Sequence, residues 1–233
     1  MEQILTQGFA ELGLDISQKQ LEAFRGFYNC LEETNKVMNL TAISGEEDTA
    51  RLHFLDCAAL LKELPFDGKT VIDVGTGAGF PGMPLLIACP GIRKMTLLDS
   101  LGKRIDFLSA CCAGLGITNA EPIHARAEEA VSYREQYDAA VSRAVARLSV
   151  LCELALPFVK VGGYFAAMKG PNCGEEVREA ENAIELLGGK LERVTEYTIP
   201  GTDINHSIVL IKKQRSTPKK YPRRFAIIKK TPL

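Results

Sequence analysis

The stretch VIDVGTGAGFPGMPL, Val71 to Leu85, limits the fold more than any other part of the chain. A β-branched apolar run enters three glycines at alternate positions and leaves as helix-forming sequence, so a strand turns sharply at its carboxyl end into a helix. In an open α/β sheet, that end of the strands is where ligands sit.

After Thr70 the pattern repeats. The runs TVIDV, MTLLD, EPIHA, DAAVS, GYFAAMK, LERVTEYTI and HSIVLIKK predict seven strands. Helices are expected between them at 84–88, 103–115, 127–131, 148–159 and 175–187, the last closed by Gly188-Gly189. This alternation predicts a doubly wound, Rossmann-like α/β fold: a mostly parallel seven-stranded sheet with helices on both faces. The last two strands are joined only by PGTDIN, too short for a helical crossover, and are expected to pair as an antiparallel hairpin. Upstream, Leu21, Phe24, Tyr28 and Leu31 recur at helical spacing within 16–38. Leu52, Leu55, Ala59 and Leu60 do so within 46–64, before Pro65 and Gly68.

No apolar run approaches the roughly 18 residues of a membrane span, and the N-terminus has no basic-then-apolar leader, so a soluble, cytoplasmic protein is expected. The seven cysteines form no CxxC pair, which favours reduced, buried thiols over a zinc site or a disulfide framework. The net charge of -1 conceals an asymmetry. Lys212 to Leu233 holds nine Lys or Arg and no acid, leaving -10 for the rest, so this end is suited to an anion.

A dinucleotide loop needs G-x-G-x-x-G, but counting from Gly75 and Gly77 the third place is Phe80. No Gly-Lys-Ser/Thr follows, which excludes a P-loop. Asp99, 24 residues beyond Gly75, ends the next strand, where a carboxylate can accept both ribose hydroxyls of an adenosine. That feature suits NAD and S-adenosylmethionine equally. Asp73 beside the loop would repel a pyrophosphate but suits a cationic aminoacyl group, directly or through water. Glu128, after EPIHARA, falls where an adenine edge would lie. Together Asp73, Gly75, Gly77, Gly79, Asp99 and Glu128 point to S-adenosylmethionine, with a NAD-dependent oxidoreductase as the competing enzyme class.

The segments NKVMNLTAI (Asn35 to Ile43), HFLD (His53 to Asp56), DVGTGAGFPGMPL (Asp73 to Leu85), LLDSLGKRIDFL (Leu97 to Leu108), SRAVARL (Ser142 to Leu148), MKG (Met168 to Gly170) and TPKKYPRR carry a resemblance over nearly the whole chain. The sequence resembles the glucose-inhibited division protein B family, bacterial class I methyltransferases that methylate N7 of a guanine in 16S ribosomal RNA of the small ribosomal subunit. The expected organisation is an N-terminal helical lobe over 1–67, from the helical spacing before the glycine loop, an S-adenosylmethionine-binding methyltransferase domain over 68–213 and a basic tail over 214–233. The resemblance implies that Gly75, Phe80, Asp99, Ser100, Leu101, Ala127, Glu128 and Arg143 contact the cofactor. Leu52 and Cys57 depart from the family's usual basic residue and Ser, and Arg51 is the expected substitute for the missing charge.

Methyl transfer from a sulfonium is an in-line displacement, which asks an enzyme to align two atoms and exclude water. The Asn/Asp-Pro-Pro-Tyr/Phe loop that serves exocyclic amines is absent, for the fourth strand ends AVSRAVARL with Arg143 in that place. Cys173, in GPNCGE, lacks the context of a pyrimidine-activating thiolate. Guanine N7 has an in-plane lone pair and no proton, so it needs no general base. Arg143 is the expected catalytic residue, bonding the cofactor carboxylate or guanine O6, with a surface ion pair as the plainer alternative. Arg143→Ala is expected to keep the fold and lose most activity.

RNA contacts are expected from Asn39, His53, Lys103, Arg104 and Lys169, and from Lys219, Lys220, Arg223 and Arg224, among which Tyr221 and Phe225 are placed for stacking. The plainer alternatives are a capping Asn, a buried His, solvated helix-start charges and a disordered tail. A methyltransferase with a protein or small-molecule acceptor, and a noncatalytic RNA-binding factor, are the other competing readings. The protein is expected to be a monomer.

Overall fold

A computed structural model describes residues 1–143 and 146–233; Ala144 and Val145, within SRAVARL, lie outside the described residues. The strands are β1 (Thr70–Val74), β2 (Lys94–Asp99), β3 (Ala120–His124), β4 (Tyr137–Arg143), β5 (Val159–Lys169), β6 (Gly189–Thr198) and β7 (Asn205–Lys213). They form one sheet in the order β3-β2-β1-β4-β5-β7-β6. The first five run parallel, with Ile72 beside Thr96 on one side and Ala140 on the other. β7 is antiparallel to both β5 and β6, which places the expected hairpin at the sheet edge with its second strand inside.

The helices are α1 (Glu2–Glu11), α2 (Gln18–Met38), α3 (46–62), α4 (Gly82–Ala88), α5 (Gly102–Gly114), α6 (Leu148–Ala155), α7 (Gly174–Glu179), α8 (Glu181–Leu186) and α9 (Phe225–Lys230). α1 to α5 cover one face of the sheet, where Phe9, Phe24, Phe27 and Phe54 share a core with Met83 and Leu108. α6 to α9 cover the other, where Leu151, Ile184 and Ile228 pack on Ile72, Ala140 and Val209. No helix among the described residues is long and apolar enough to cross a membrane.

α2 begins at a capping box in which Ser17 and Gln20 satisfy each other's amides. Its buried stripe runs through Leu21, Phe24, Phe27 and Leu31, with Tyr28 half-buried beside it rather than within it. α3 contains a π-helical stretch, Thr49–Leu55, flanked by α-helical and 3-10 turns. A wide turn of this kind shifts the register of the side chains it carries and recurs at functional sites. Here it carries His53.

Three expected helices are corrected. The 127–131 segment makes a single turn and then a 3-10 turn at Val131–Tyr133, because Ala130 leaves helical geometry and the segment turns only the small Ala127 and Ala130 side chains inward, while Val131 is two-thirds exposed. The 148–159 helix stops at Ala155: Pro157 has no amide hydrogen to continue it, a 3-10 turn spans Leu156–Phe158, and Val159 opens β5. The 175–187 helix is broken in two at Ala180. α1, to which no element was assigned from the sequence, buries Leu5 and Phe9.

Candidate active site

The loop leaving β1 is tied to β2, since the amides of Gly75 and Thr76 both donate to the Leu98 carbonyl at 2.9 and 3.0 Å. Gly75, Gly77 and Gly79 have φ of 73°, 60° and 100°, the left-handed region that side chains disfavour. A Cβ built on Gly77 would find only the Gly75 carbonyl oxygen, 4.0 Å away, so this backbone faces open space. That space is a cavity of about 480 Å³ lined by Gly75, Gly77, Phe80, Asp99, Ala127 and Glu128, among others. Asp99 is set by its neighbours: Oδ2 accepts from the Gly77 amide, Oδ1 accepts from the Leu101 amide, both at 2.9 Å, and Arg104 lies 3.3 Å from Oδ2. A buried carboxylate at a cavity wall, beside a backbone free of side chains, fits the ribose of an adenosine.

Asp73 does a different job. Its Oδ2 accepts from the Thr76 hydroxyl at 2.7 Å and the Gly82 amide at 2.8 Å, holding the loop against the start of α4. Its Oδ1 has no partner among the described residues. Burial, opposed by those two hydrogen bonds, pushes its carboxyl up to about 7. Because the folded value lies above the unfolded one, the folded state binds the extra proton, and stability is lost as pH rises from about 4 to about 7. The slope is at most about 1.4 kcal/mol per pH unit. Urea melts across that range are expected to show Asp73→Asn with a shallower decline than wild type. Parallel declines would remove this assignment.

Arg143, at the end of β4, forms the wall between this cavity and a second of about 890 Å³; with His53 it lines both. Its Nη1 donates to Asp56 Oδ2 and to the Leu52 carbonyl, each at 3.1 Å, and its Nη2 donates to His53 Nδ1 at 2.7 Å. Among the described residues these take three of its five donors. The guanidinium lies 4.7 Å from the centre of the Phe80 ring, and His53 stacks on that ring at 4.2 Å. Since Nδ1 of His53 accepts, Nε2 carries the proton and donates to the Thr41 hydroxyl at 3.0 Å. Burial, then the Arg143 charge, drives the imidazole down to about 3, so it is neutral near pH 7.

Asp56 is the anchor of the group and is 1% exposed. Besides Arg143 it accepts from the Tyr197 hydroxyl at 2.6 Å and from His206 Nδ1 at 2.8 Å, both on the C-terminal hairpin. Burial opposes its charge, but His206, Arg143 and Tyr197 outweigh that and hold its carboxyl below the usual range. One carboxylate thus ties α3, β4, β6 and β7 together at the boundary of the two cavities.

Comparison with known proteins adds one decisive observation. Residues 20–206 match the profile of the GidB family, described as rRNA small subunit methyltransferase G. The chain belongs to that family. Ribosomal RNA small subunit methyltransferase G of Clostridium botulinum (strain 657 / Type Ba4) is 47% identical over 234 residues, 99% of this chain and 98% of that one. The protein of the same name from Alkaliphilus metalliredigens is 48% identical over 235 residues, with the same coverages. Among solved structures, M. jannaschii TYW2 in complex with AdoMet superposes with a TM-score of 0.54 at 15% identity, covering 68% of this chain and 76% of that one. Precorrin-6y C5,15-methyltransferase from Geobacter metallireducens gives 0.50 at 15%, covering 67% and 87%. At such identities the likeness is one of fold.

Within this chain, Gly75, Gly77, Phe80, Asp99, Ser100, Ala127, Glu128 and Arg143 converge on the smaller cavity. Four expected cofactor or RNA residues sit otherwise. Asp73 is sealed behind the loop, as above. Gly79 packs inward, where a Cβ would stand 2.7 Å from Met83 and 2.9 Å from Leu108. Leu101 offers its amide to Asp99 while its side chain is half exposed to solvent. Arg104, a third exposed, turns onto Asp99 and lines the cavity.

The expected RNA set divides further. Lys169 lines the larger cavity, with its ammonium held by the Ala146 carbonyl and Glu176 at 2.6 and 2.7 Å. Arg223 is clamped on buried Glu153. Tyr221 is buried, so it is not a stacking platform. Arg51 binds Glu47 and the Pro200 carbonyl, away from both cavities, and does not replace the charge absent at Leu52. Asn39 is an exposed left-handed C-cap of α2. Lys103, Lys219, Lys220 and Arg224 are exposed. Cys173 is buried at the edge of the larger cavity. Asp56, Tyr197 and His206 were given no role from the sequence; only HFLD, which contains Asp56, was a visible signal.

Proposed function

We propose that the chain transfers a methyl group from S-adenosylmethionine to N7 of a guanine in 16S ribosomal RNA. The cofactor occupies the smaller cavity and the base enters the larger one. The observation that carries this reading is the shared wall: the guanidinium of Arg143 and the neutral ring of His53 border both spaces. When bound, the cofactor supplies an electrophilic methyl on a sulfonium. Asp99 would hold its ribose, Ala127 and Glu128 its purine edge, and the unsubstituted backbone at Gly75 and Gly77 would let it approach closely.

The residues of the wall align and exclude; they do not move protons. Guanine N7 has none to lose, which agrees with a neutral His53 and with an Asp56 fully engaged by Arg143, Tyr197 and His206. Arg143, fixed on three sides, keeps donors for the guanine O6 beside N7, the hydrogen bond that marks guanine in its major-groove edge. Phe80 and His53, stacked and buried, shut water out between the cavities.

Incubation with isotope-labelled S-adenosylmethionine and small-subunit RNA, free or assembled, followed by nuclease digestion, is expected to yield labelled 7-methylguanosine. Label in protein, in another nucleoside or in no RNA would reject the reading.

The exposed cations of the C-terminal segment are the expected phosphate contacts. Replacing Lys219, Lys220 and Arg224 together by Gln is expected to flatten the dependence of log affinity on log salt by about 2, at roughly 0.7 per phosphate. Arg223→Gln is expected to leave that slope unchanged and to lower stability, because its partner Glu153 is fully buried. Fluorescence-anisotropy titrations at several salt concentrations measure the slopes, and urea melts measure the stability.

A further inference from the structure

The C-terminal chain folds back onto the protein. Arg134 donates to the carbonyls of Thr217, Pro218 and Tyr221, the last at 2.7 Å. Arg223 then meets Glu153 on α6, with its amide and Nε at 2.8 Å and its Nη2 at 2.6 Å from the carboxylate. Tyr221 and Ile228 are buried on either side of that clamp. The result is to deliver Phe225 to the wall of the smaller cavity, where Leu154, next to Glu153 in sequence, also lines it. Phe225 is 37% exposed, so its ring is held at a cavity rather than spent in the core.

We propose that Phe225 forms part of the cofactor-binding surface, as an aromatic wall for the purine, so that cofactor binding and docking of the basic C-terminal arm are thermodynamically coupled. The inference rests on the reading that this cavity holds S-adenosylmethionine. Two observations favour the purine side: Ala127 packs against the same core cluster that holds Leu154, Tyr221 and Ile228, and Phe225 shares the cavity with Ala127 and Glu128. An aromatic face or edge stabilises a purine without needing a particular hydrogen-bond pattern. The arm that carries Phe225 also carries exposed Lys219, Lys220, Arg224, Lys229 and Lys230. Whatever orders the ring therefore orders cations suited to RNA phosphates, and coupling of two binding events is reciprocal.

Calorimetry with S-adenosylhomocysteine on full-length wild type, Phe225→Ala and Phe225→Tyr, joined to amide hydrogen exchange of residues 217–231, tests this. The alanine variant is expected to bind about tenfold more weakly and the tyrosine variant near wild type. The ligand is expected to slow exchange across 225–231 in wild type and not in Phe225→Ala. Equal affinity in wild type and Phe225→Ala, or wild-type exchange in the arm that ignores the ligand, overturns the inference alone. A wild-type protein that binds no S-adenosylhomocysteine removes the cavity assignment and the inference with it.

Discussion

Arg143→Ala is expected to lower turnover by at least about a hundredfold, the penalty of a roughly 1 Å misplacement in a reaction that depends on alignment. The substitution removes the common wall of two cavities and the cation over Phe80. It also unpairs a buried carboxylate. Asp56 keeps Tyr197 and His206 but loses its permanent positive partner, which is expected to cost about 3 kcal/mol of folding stability. From the sequence the fold is expected to be kept; the burial of Asp56 adds an expected loss of stability. Arg143→Lys keeps a charge but cannot bridge Asp56, the Leu52 carbonyl and His53 at once, and is expected to fall between. Steady-state kinetics at a temperature where urea melts show the variant folded separate the two effects. Wild-type turnover in folded Arg143→Ala would reject the role.

Asp99→Ala is expected to weaken S-adenosylhomocysteine binding by about a hundredfold or more, since two or more hydrogen bonds to a charged acceptor are worth about 1.5–3 kcal/mol each. The loss has two sources. The ribose loses its acceptor, and the amides of Gly77 and Leu101 lose the oxygens that set the loop. Asp99→Asn still accepts through one oxygen and is expected to lose less. Calorimetry that finds wild-type affinity in Asp99→Ala would remove the carboxylate from the site.

The order of elements was legible where local pattern and tertiary fold agree. Apolar runs of strand length, a short PGTDIN link and Gly75, Gly77 and Gly79 with positive φ each carry their structural instruction within a few residues. The site was legible at strand ends for the same reason: Asp99 and Arg143 stand at the carboxyl ends of β2 and β4. What sequence could not give was where a side chain turns. Asp73 and Asp99 each follow an apolar strand run, yet one is sealed under the loop and the other lines the cavity. Arg223 and Arg224 are adjacent, yet only Arg223 finds a buried acid, and that acid lies on a helix 70 residues earlier. Asp56, Tyr197 and His206 come from separate elements and meet only after the hairpin pairs beside β5. α1 is a plainer case: Leu5, Phe9 and Leu12 have helical spacing and are buried, and that pattern was there to be read.

The most direct test is a crystal structure of the full-length protein with S-adenosylhomocysteine. The expected result places its ribose against Asp99 and its purine beside Ala127 and Glu128, with the sulfur facing Arg143 and the larger cavity beyond it left for the base. Finding the compound in the larger cavity, or with its sugar away from Asp99, would contradict the assignment of both spaces.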